Sequence, residues 1–584
     1  MRKVYNMKSI IRKKLAFPLT MAMMLGAFSC DESFLEVPPT AQLTDAVLTT
    51  QAGLEGLLVG TYSALNGRGN GWHAGATNWL WGSIRGGDAN KGTNAGDFSS
   101  MNPVERFELE PGNPEVHGKW LGSYEGVARA NVLLATIPKA EGVKPEDATR
   151  ITAEAKFLRA HFYFELKKNF NMVPYVDETL DYATGATEIK NDTDIWPKIE
   201  EDMVYAYTNL PEGQPQVGRA NKWAAAAYLG KIYLYQGKYA EALAKFNEVI
   251  TSGKTSDGKA YGLFPNFGGL FRLANENSQE SIFAFQATGG ASSTDNANHE
   301  YAMNYPYNTL PGNCCGFFHP SFELAASYRT DAAGLPLIDG SYRSDANTIK
   351  TDLGLNSSAA FTPDAGNLDP RLDHTIGRRG IPFLDWGPHK GFDWIRDQSY
   401  AGPYSPKKYT YAKTEESSLD KSGWTPGYTA LNFMIIRYAD VLLMAAECEV
   451  EVGDLEKARE YVNLVRARAA NPAGFVLNEA GSGPAANYVI GQYTAPFASK
   501  EDAREKVRFE RKLELALEGH RFYDLVRWGI AQPTLNTYLS FEAARIPSHF
   551  AGATFTTNQD ELLPIPQRQI DLQGADILTQ NPNF

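Results

Sequence analysis

Three glutamates, Glu510, Glu514 and Glu518, recur every four residues near the C-terminal end, with Arg508, Arg511 and Arg521 beside them. A pair of carboxylates is what a glycoside hydrolase needs, one as acid and one as base or nucleophile. Four-residue steps on a regular helix instead cross-link a scaffold through ion pairs, and that is the reading adopted for these residues and for Arg437 and Asp440. Asp369, Asp373, Asp385, Asp393 and Asp397 are the other candidates for an acid/base pair. The nine histidines are scattered, with no H-E-x-x-H and no Cys-x-x-Cys, so no zinc site and no other metal or cofactor is expected. Neither a G-x-S-x-G elbow nor a phosphate-binding loop occurs. The run from Gly86 to Asp97 is rich in oxygen ligands but lacks EF-hand spacing and a closing Glu, so it reads as a turn-rich loop, not a calcium site. Cys314 and Cys315 are adjacent, with Cα atoms about 3.8 Å apart across a trans peptide. That is below the usual disulfide range, so two free thiols are expected. The alternative is a vicinal disulfide forming a rigid apolar plate beside Phe317 and Phe318.

The elements that must hold these residues are mostly helical. Residues 51–65 place Leu54, Leu57, Leu58, Thr61, Tyr62 and Leu65 on one face. Helices also follow at residues 120–137, 146–170 and 194–210, with Pro138, Pro174 and Pro211 as stops. Residues 223–250 fit a tetratricopeptide-like pair. Gly230 and Ala242 allow close approach, Gly237-Lys238 turns, and Tyr233 and Phe246 fill the gap. A second pair spans residues 433–469 around Gly453-Asp454, and a further helix spans 500–518. Between the pairs, residues 290–430 are rich in Gly, Pro, Asn and Ser and keep many aromatics, including Trp424. A loop-rich stretch of this length is functional more often than it is a linker.

The chain has 584 residues, and its 43% hydrophobic and 21% charged composition is that of a folded protein with more than one lobe. Its net charge of −12 repels phosphate backbones, which argues against nucleic acid as a partner. Arg2, Lys3, Lys8, Arg12, Lys13 and Lys14 precede an apolar run at residues 15–28, too short to span a bilayer. A small residue followed by Cys30 then reads as a signal peptide (1–29) with Cys30 as lipidation site. Residues 30–45 form a lipidated spacer. The remaining expected divisions are a helical part at 46–289, an irregular aromatic-rich lobe at 290–430 and a helical part with tail at 431–584.

Several motifs resemble the SusD/RagB family of nutrient-binding lipoproteins of Bacteroidetes. They include Trp120-x-x-x-Tyr124 with Ala130-Asn131, and Glu154-Ala155-Lys156-Phe157-Leu158-Arg159-Ala160 with Val173-Pro174. Pro320-Ser321-Phe322-Glu323-Leu324 and Asp369-Pro370-Arg371-Leu372 follow mid-chain. Arg437-Tyr438-Ala439-Asp440, the segment from Arg508 through Glu514 and Glu518-Gly519 to Asp524 and Arg527-Trp528, and Leu563-Pro564-Ile565-Pro566 complete the series. The resemblance covers essentially the whole mature chain. It implies a mostly α fold: a tetratricopeptide-like helical-pair scaffold with an irregular ligand-binding lobe. It also implies a non-catalytic, cell-surface glycan-binding lipoprotein, anchored in the outer membrane, that passes an oligosaccharide to a SusC-like TonB-dependent transporter. Asp31-Glu32 behind Cys30 agrees with surface export in that phylum. Alternatives are a peptide-binding uptake lipoprotein of the same family, a glycoside hydrolase using paired Asp in the irregular lobe, and a tetratricopeptide adaptor.

A neutral sugar is bound by stacking an aromatic ring under its C–H face while amides and carboxylates take its hydroxyls. By the resemblance, such groups come from the loop after the first helix and from the irregular lobe. The first loop supplies Trp72, His73, Asn78, Trp79, Trp81, Arg85, Asp88 and Asn90. The lobe supplies Tyr301, Tyr305, Tyr307, Asn308, Trp386, Trp394 and Tyr404.

Overall fold

The computed structural model describes residues 45–67, 72–180, 188–290, 294–308, 311, 314–425 and 427–584. The expected signal peptide, the lipidation site Cys30 and all of the spacer but its last residue lie outside the described residues. The predicted helices form, with ends set by local chemistry. Helix α1 (Gln51–Ser63) opens on Thr50, whose side chain accepts from the Gly53 N–H at 3.1 Å. Helix α2 (Pro114–Thr136) starts ahead of its apolar rhythm, because Asn113 accepts from the Glu115 and Val116 N–H groups and Pro114 is preset for a first turn. Helices α3 (Pro145–Phe170) and α4 (Trp196–Asn209) follow, then the first pair, α5 (Lys222–Tyr235) and α6 (Tyr239–Ser252). A methyl group on Gly230 would lie 2.6 Å from the Phe246 ring, which is why this crossing takes a glycine.

The second pair is α7 (Tyr438–Val452) and α8 (Leu455–Ala469), capped by Asp454. Helix α6 packs on α7, so the pairs are neighbours in space although the lobe separates them in sequence. Helix α9 (Lys500–Glu514) covers α7 and α8, and α10 (Arg521–Arg527) and α11 (Ala531–Ala543) lead into the tail. The fold is mostly α, a tetratricopeptide-like scaffold carrying an irregular region.

Strands among the described residues are short: β1 (Ala89–Gly92), β2 (Ser281–Phe285), β3 (Phe317–Pro320), β4 (Ile376–Gly377), β5 (Ser405–Pro406) and β6 (Phe433–Arg437). They pair antiparallel as β1–β3, β2–β6 and β4–β5. Two helical expectations are corrected here. The segment Phe433-Met434-Ile435-Ile436-Arg437 is a fully buried strand, and helix α7 begins only after it. Helix α9 stops at Glu514, and Leu517 takes a left-handed conformation (φ 63°), so Glu518 lies in a turn beyond the helix.

The three glutamates nonetheless converge in the interior. Arg371 reaches Glu510 at 2.7 Å and Glu514 at 3.0 Å, while Arg437 reaches Glu514 and Glu518 at 2.7 Å each. Arg466 joins Glu510, Arg468 joins Glu280 and Glu514, and Lys408 joins Glu518. Burial alone would raise the Glu514 carboxyl. Arg468, Arg437 and Arg371 outweigh it and hold the group below the usual carboxylate range. These carboxylates clamp helix to lobe. One apolar core runs from Leu54 on α1 to Leu578 in the tail and takes in Tyr301, Phe317, Phe318 and Tyr404 of the lobe.

Candidate functional site

The first loop and the lobe are brought together by strand pairing and a few long-range bonds. In the β1–β3 ladder Ala89 opposes Pro320, Asn90 opposes His319 and Gly92 opposes Phe317. The Thr93 N–H donates to the Gly316 carbonyl just past the ladder's end. Asn90 Nδ2 donates to the Ala401 carbonyl at 3.0 Å, and the Tyr400 hydroxyl to Asn102 Oδ1 at 2.9 Å. The Tyr307 N–H donates to the Trp394 carbonyl at 2.9 Å.

Most of the expected contact residues turn inward, and the expectation that they face ligand is corrected. Trp79 is 0% exposed and meets Phe318 edge-on, and Trp81 donates its indole N–H to the His73 carbonyl at 2.7 Å. Trp394 is packed between Phe383 and His389. Tyr301 donates to the Leu517 carbonyl, Tyr305 packs on Tyr411, and Tyr404 on Phe322. The Arg85 guanidinium sits 4.0 Å over the Phe522 ring and donates to the Leu562 carbonyl at 3.2 Å. Asp88 accepts from the Leu517 N–H, and burial pushes its carboxyl up to about 6. Asn78 accepts from Lys119, and Asn90 holds the β1 backbone. For Trp79 and Trp81 the burial follows from a wide helical turn at Trp79–Ile84 in which every side chain is buried, with Gly82 set against the distant Gly519 carbonyl.

Five expected residues keep solvent access: Trp72, His73, Tyr307, Asn308 and Trp386. Trp72 meets Phe98 edge-on at 5.3 Å between ring centres, and Phe98 meets Phe317 at 5.7 Å. Asp97, next to Phe98, pairs with Arg396, whose other bond goes to Thr93 Oγ1 at 2.9 Å. The Arg396 guanidinium lies 5.4 Å from the Tyr307 ring centre. Trp72, Phe98, Asp97, Arg396 and Tyr307 therefore form one continuous shelf. His73 is matched by Glu115 at 3.1 Å, so the shelf's basic groups are compensated. Trp386 stands apart, donating to the Tyr411 carbonyl at 3.1 Å.

Gly316, flanked by Tyr307 and Arg396, follows a feature that corrects the free-thiol expectation. Cys314 and Cys315 are joined in a vicinal disulfide, and the peptide between them is cis, whereas the expectation assumed a trans bond. Phe317 and Phe318, its expected neighbours on a plate, are both fully buried. Lys91 explains the oxygen-rich loop: its Nζ donates to the Asn94 carbonyl at 2.9 Å and the Asp97 carbonyl at 2.7 Å, filling the place of a cation. Among the described residues no group of three or more His, Cys, Asp or Glu is placed to hold a metal ion.

Sequence reasoning missed Phe98 and Arg396 and left Trp424, which is 58% exposed, out of the expected contact residues. The signal was available for Trp424, whose neighbours Lys421, Ser422 and Gly423 offer no apolar flank, unlike Trp79-Leu80-Trp81. Four clefts of about 340, 530, 280 and 320 Å³ lie elsewhere. None of these four is lined by any of the fifteen expected residues.

Comparison with known proteins bears on this arrangement. A family model described as the SusD family matches residues 279–584, and one described as starch-binding, associating with outer membrane, matches residues 33–234. SusD-like protein P25 of Formosa agariphila is 26% identical over 534 residues, 87% of this chain and 88% of that protein. A SusD superfamily protein of Bacteroides vulgatus superposes with a TM-score of 0.66 at 21% identity, covering 91% of this chain and 99% of the other. A structure described as a laminarin binding SusD-like protein does so with a TM-score of 0.63 at 25% identity, covering 91% and 99%.

Proposed function

This chain belongs to the SusD family, and on that footing we propose that it captures a neutral oligosaccharide at the cell surface, without cleaving it, for a partner transporter. The observation that carries the reading is the shelf formed by Trp72, Phe98 and Tyr307, half-buried rings beside an arginine already neutralised by Asp97. Such rings bind C–H faces of sugars, and a shelf without uncompensated charge favours neutral over anionic glycans. The likeness to a laminarin binding protein makes a neutral glucan the first ligand to try.

A binding role is supported by how the candidate catalytic carboxylates are engaged. Glu510, Glu514 and Glu518 are sealed in ion pairs. Asp373 is held by Arg378, and Asp385 accepts from the Lys413 and Thr414 N–H groups. A general acid for glycoside cleavage needs a raised pKa, whereas both of these aspartates are held below their ordinary value. The partner in this reading is a SusC-like TonB-dependent transporter, and Cys30 carries the lipid anchor at the outer-membrane surface. The family description of association with the outer membrane supports that location, and no helix of the described residues is long and apolar enough to cross a membrane. In this reading the expected part at 46–289 supplies Trp72, Asp97 and Phe98, and the expected lobe at 290–430 supplies Tyr307 and Arg396.

A calorimetric screen of the purified protein against neutral glucans, anionic polysaccharides and peptides tests this reading. Saturable binding of a neutral glucan, weakened at least tenfold by Tyr307→Ala, is the expected result. Release of reducing ends, or binding of peptides alone, contradicts it.

A further inference from the structure

We propose that the Cys314–Cys315 disulfide is itself a ligand-contacting wall of the shelf, so that glycan affinity depends on the oxidised state of this cysteine pair. The inference rests on the glycan-binding reading above. Its basis is placement. The Cys315 and Phe317 N–H groups donate to the Met303 carbonyl and the Gly316 N–H to the Tyr305 carbonyl, which fixes the pair alongside the segment that ends in Tyr307. A methyl group on Gly316 would lie 3.3 Å from Tyr307 Cβ and 3.9 Å from Arg396 Cβ, so the residue that follows the disulfide in the chain stands next to both shelf residues. Cys315 is 5% exposed and packs into the core, whereas Cys314 keeps part of its surface open.

Two bonded sulfurs make an apolar, polarisable surface that sugar C–H groups can lie against, as they do against a ring. Two separate thiols would rotate independently and lose that surface. Asn304 adds an independent sign of a missing partner: it sits between the two acceptor residues Met303 and Tyr305 and is 1% exposed. Both polar atoms of its amide lack a hydrogen-bond partner. A ligand hydroxyl that reached Asn304 would satisfy one of them.

The test uses the purified protein with laminarihexaose as probe. A water-soluble phosphine supplies the two electrons that break the S–S bond and takes up the oxygen of one water to become the phosphine oxide, while the two protons of that water complete the thiols. The other described cysteine, Cys448, is a free thiol, so the pair is the disulfide open to reduction among the described residues. Saturating laminarihexaose should slow reduction severalfold. The Cys314→Ser/Cys315→Ser variant, and the reduced protein, should bind it at least tenfold more weakly with an unchanged melting temperature. If the wild type binds and Tyr307→Ala weakens binding, yet the reduction rate is the same with and without sugar, the disulfide inference is wrong and the glycan-binding reading stands. That rate decides the matter even where the double variant does not fold. If the wild type binds no neutral glycan, the parent reading fails and the inference falls with it.

Discussion

Asp97 and Arg396 lie 299 residues apart in the chain and form one ion pair at the edge of the shelf. The pair ties the first loop to the lobe and sets a carboxylate against the guanidinium that lies beside Tyr307. Asp97→Asn removes that compensation while keeping the shape. The expected outcome is a new, salt-dependent affinity for a uronic-acid oligosaccharide, falling several-fold between 50 and 200 mM salt in direction with charge screening. Unchanged discrimination between neutral and anionic sugars, measured by titration calorimetry, contradicts this placement of charge.

Trp72 and Trp394 separate binding from folding. Trp394→Ala empties a core position and should cost about 3–5 kcal/mol of stability in chemical unfolding. Trp72→Ala should change stability far less and lower glycan affinity at least tenfold, about 1.4 kcal/mol. The opposite pattern would exchange their roles.

The buried clamp answers to charge, not to ligand. Arg437 is surrounded by Glu280, Glu514 and Glu518, so Arg437→Met leaves buried carboxylates without their partner. A loss of about 3–5 kcal/mol is expected from removing one side of such a network. A loss below about 1 kcal/mol in urea unfolding would show that the network relaxes.

Glu300 sets a pH dependence of the opposite sense to ordinary acid unfolding. Burial pushes its carboxyl up to about 8, Glu165 adds to the rise, and the Thr77 hydrogen bonds and Lys119 do not reverse it. Its folded pKa is above the unfolded value, so the native state binds more protons between them. The stability owed to neutral Glu300 is full below about pH 4.5 and is lost as pH rises through about 8. The melting temperature should therefore fall from pH 6 to pH 9, and fall less in Glu300→Gln. Identical slopes in the two proteins contradict the assignment.

The helices were legible because their signals are local. Asn221 caps α5, Gly230 meets Phe246 across a crossing, and Gly237 turns the chain, all within one short stretch. Residues 433–437 were misread because four successive apolar residues fit a buried strand as well as a helix, and only pairing with β2 decides. Which rings face out was not legible. Trp79 and Trp72 sit in the same loop, and their fates depend on Phe318 and Phe98, neither of which sequence spacing places beside them. The ion pair of Asp97 with Arg396 was hidden for the same reason: nothing in either local segment points to the other.

Titrating laminarihexaose into the wild type and into Trp72→Ala/Tyr307→Ala is the most direct measurement. The shelf predicts one saturable event in the wild type, with the sugar recovered intact, and at least a hundredfold weaker binding in a double variant that melts at the same temperature. Equal affinity in the two proteins, or a shortened sugar after incubation with the wild type, would contradict it.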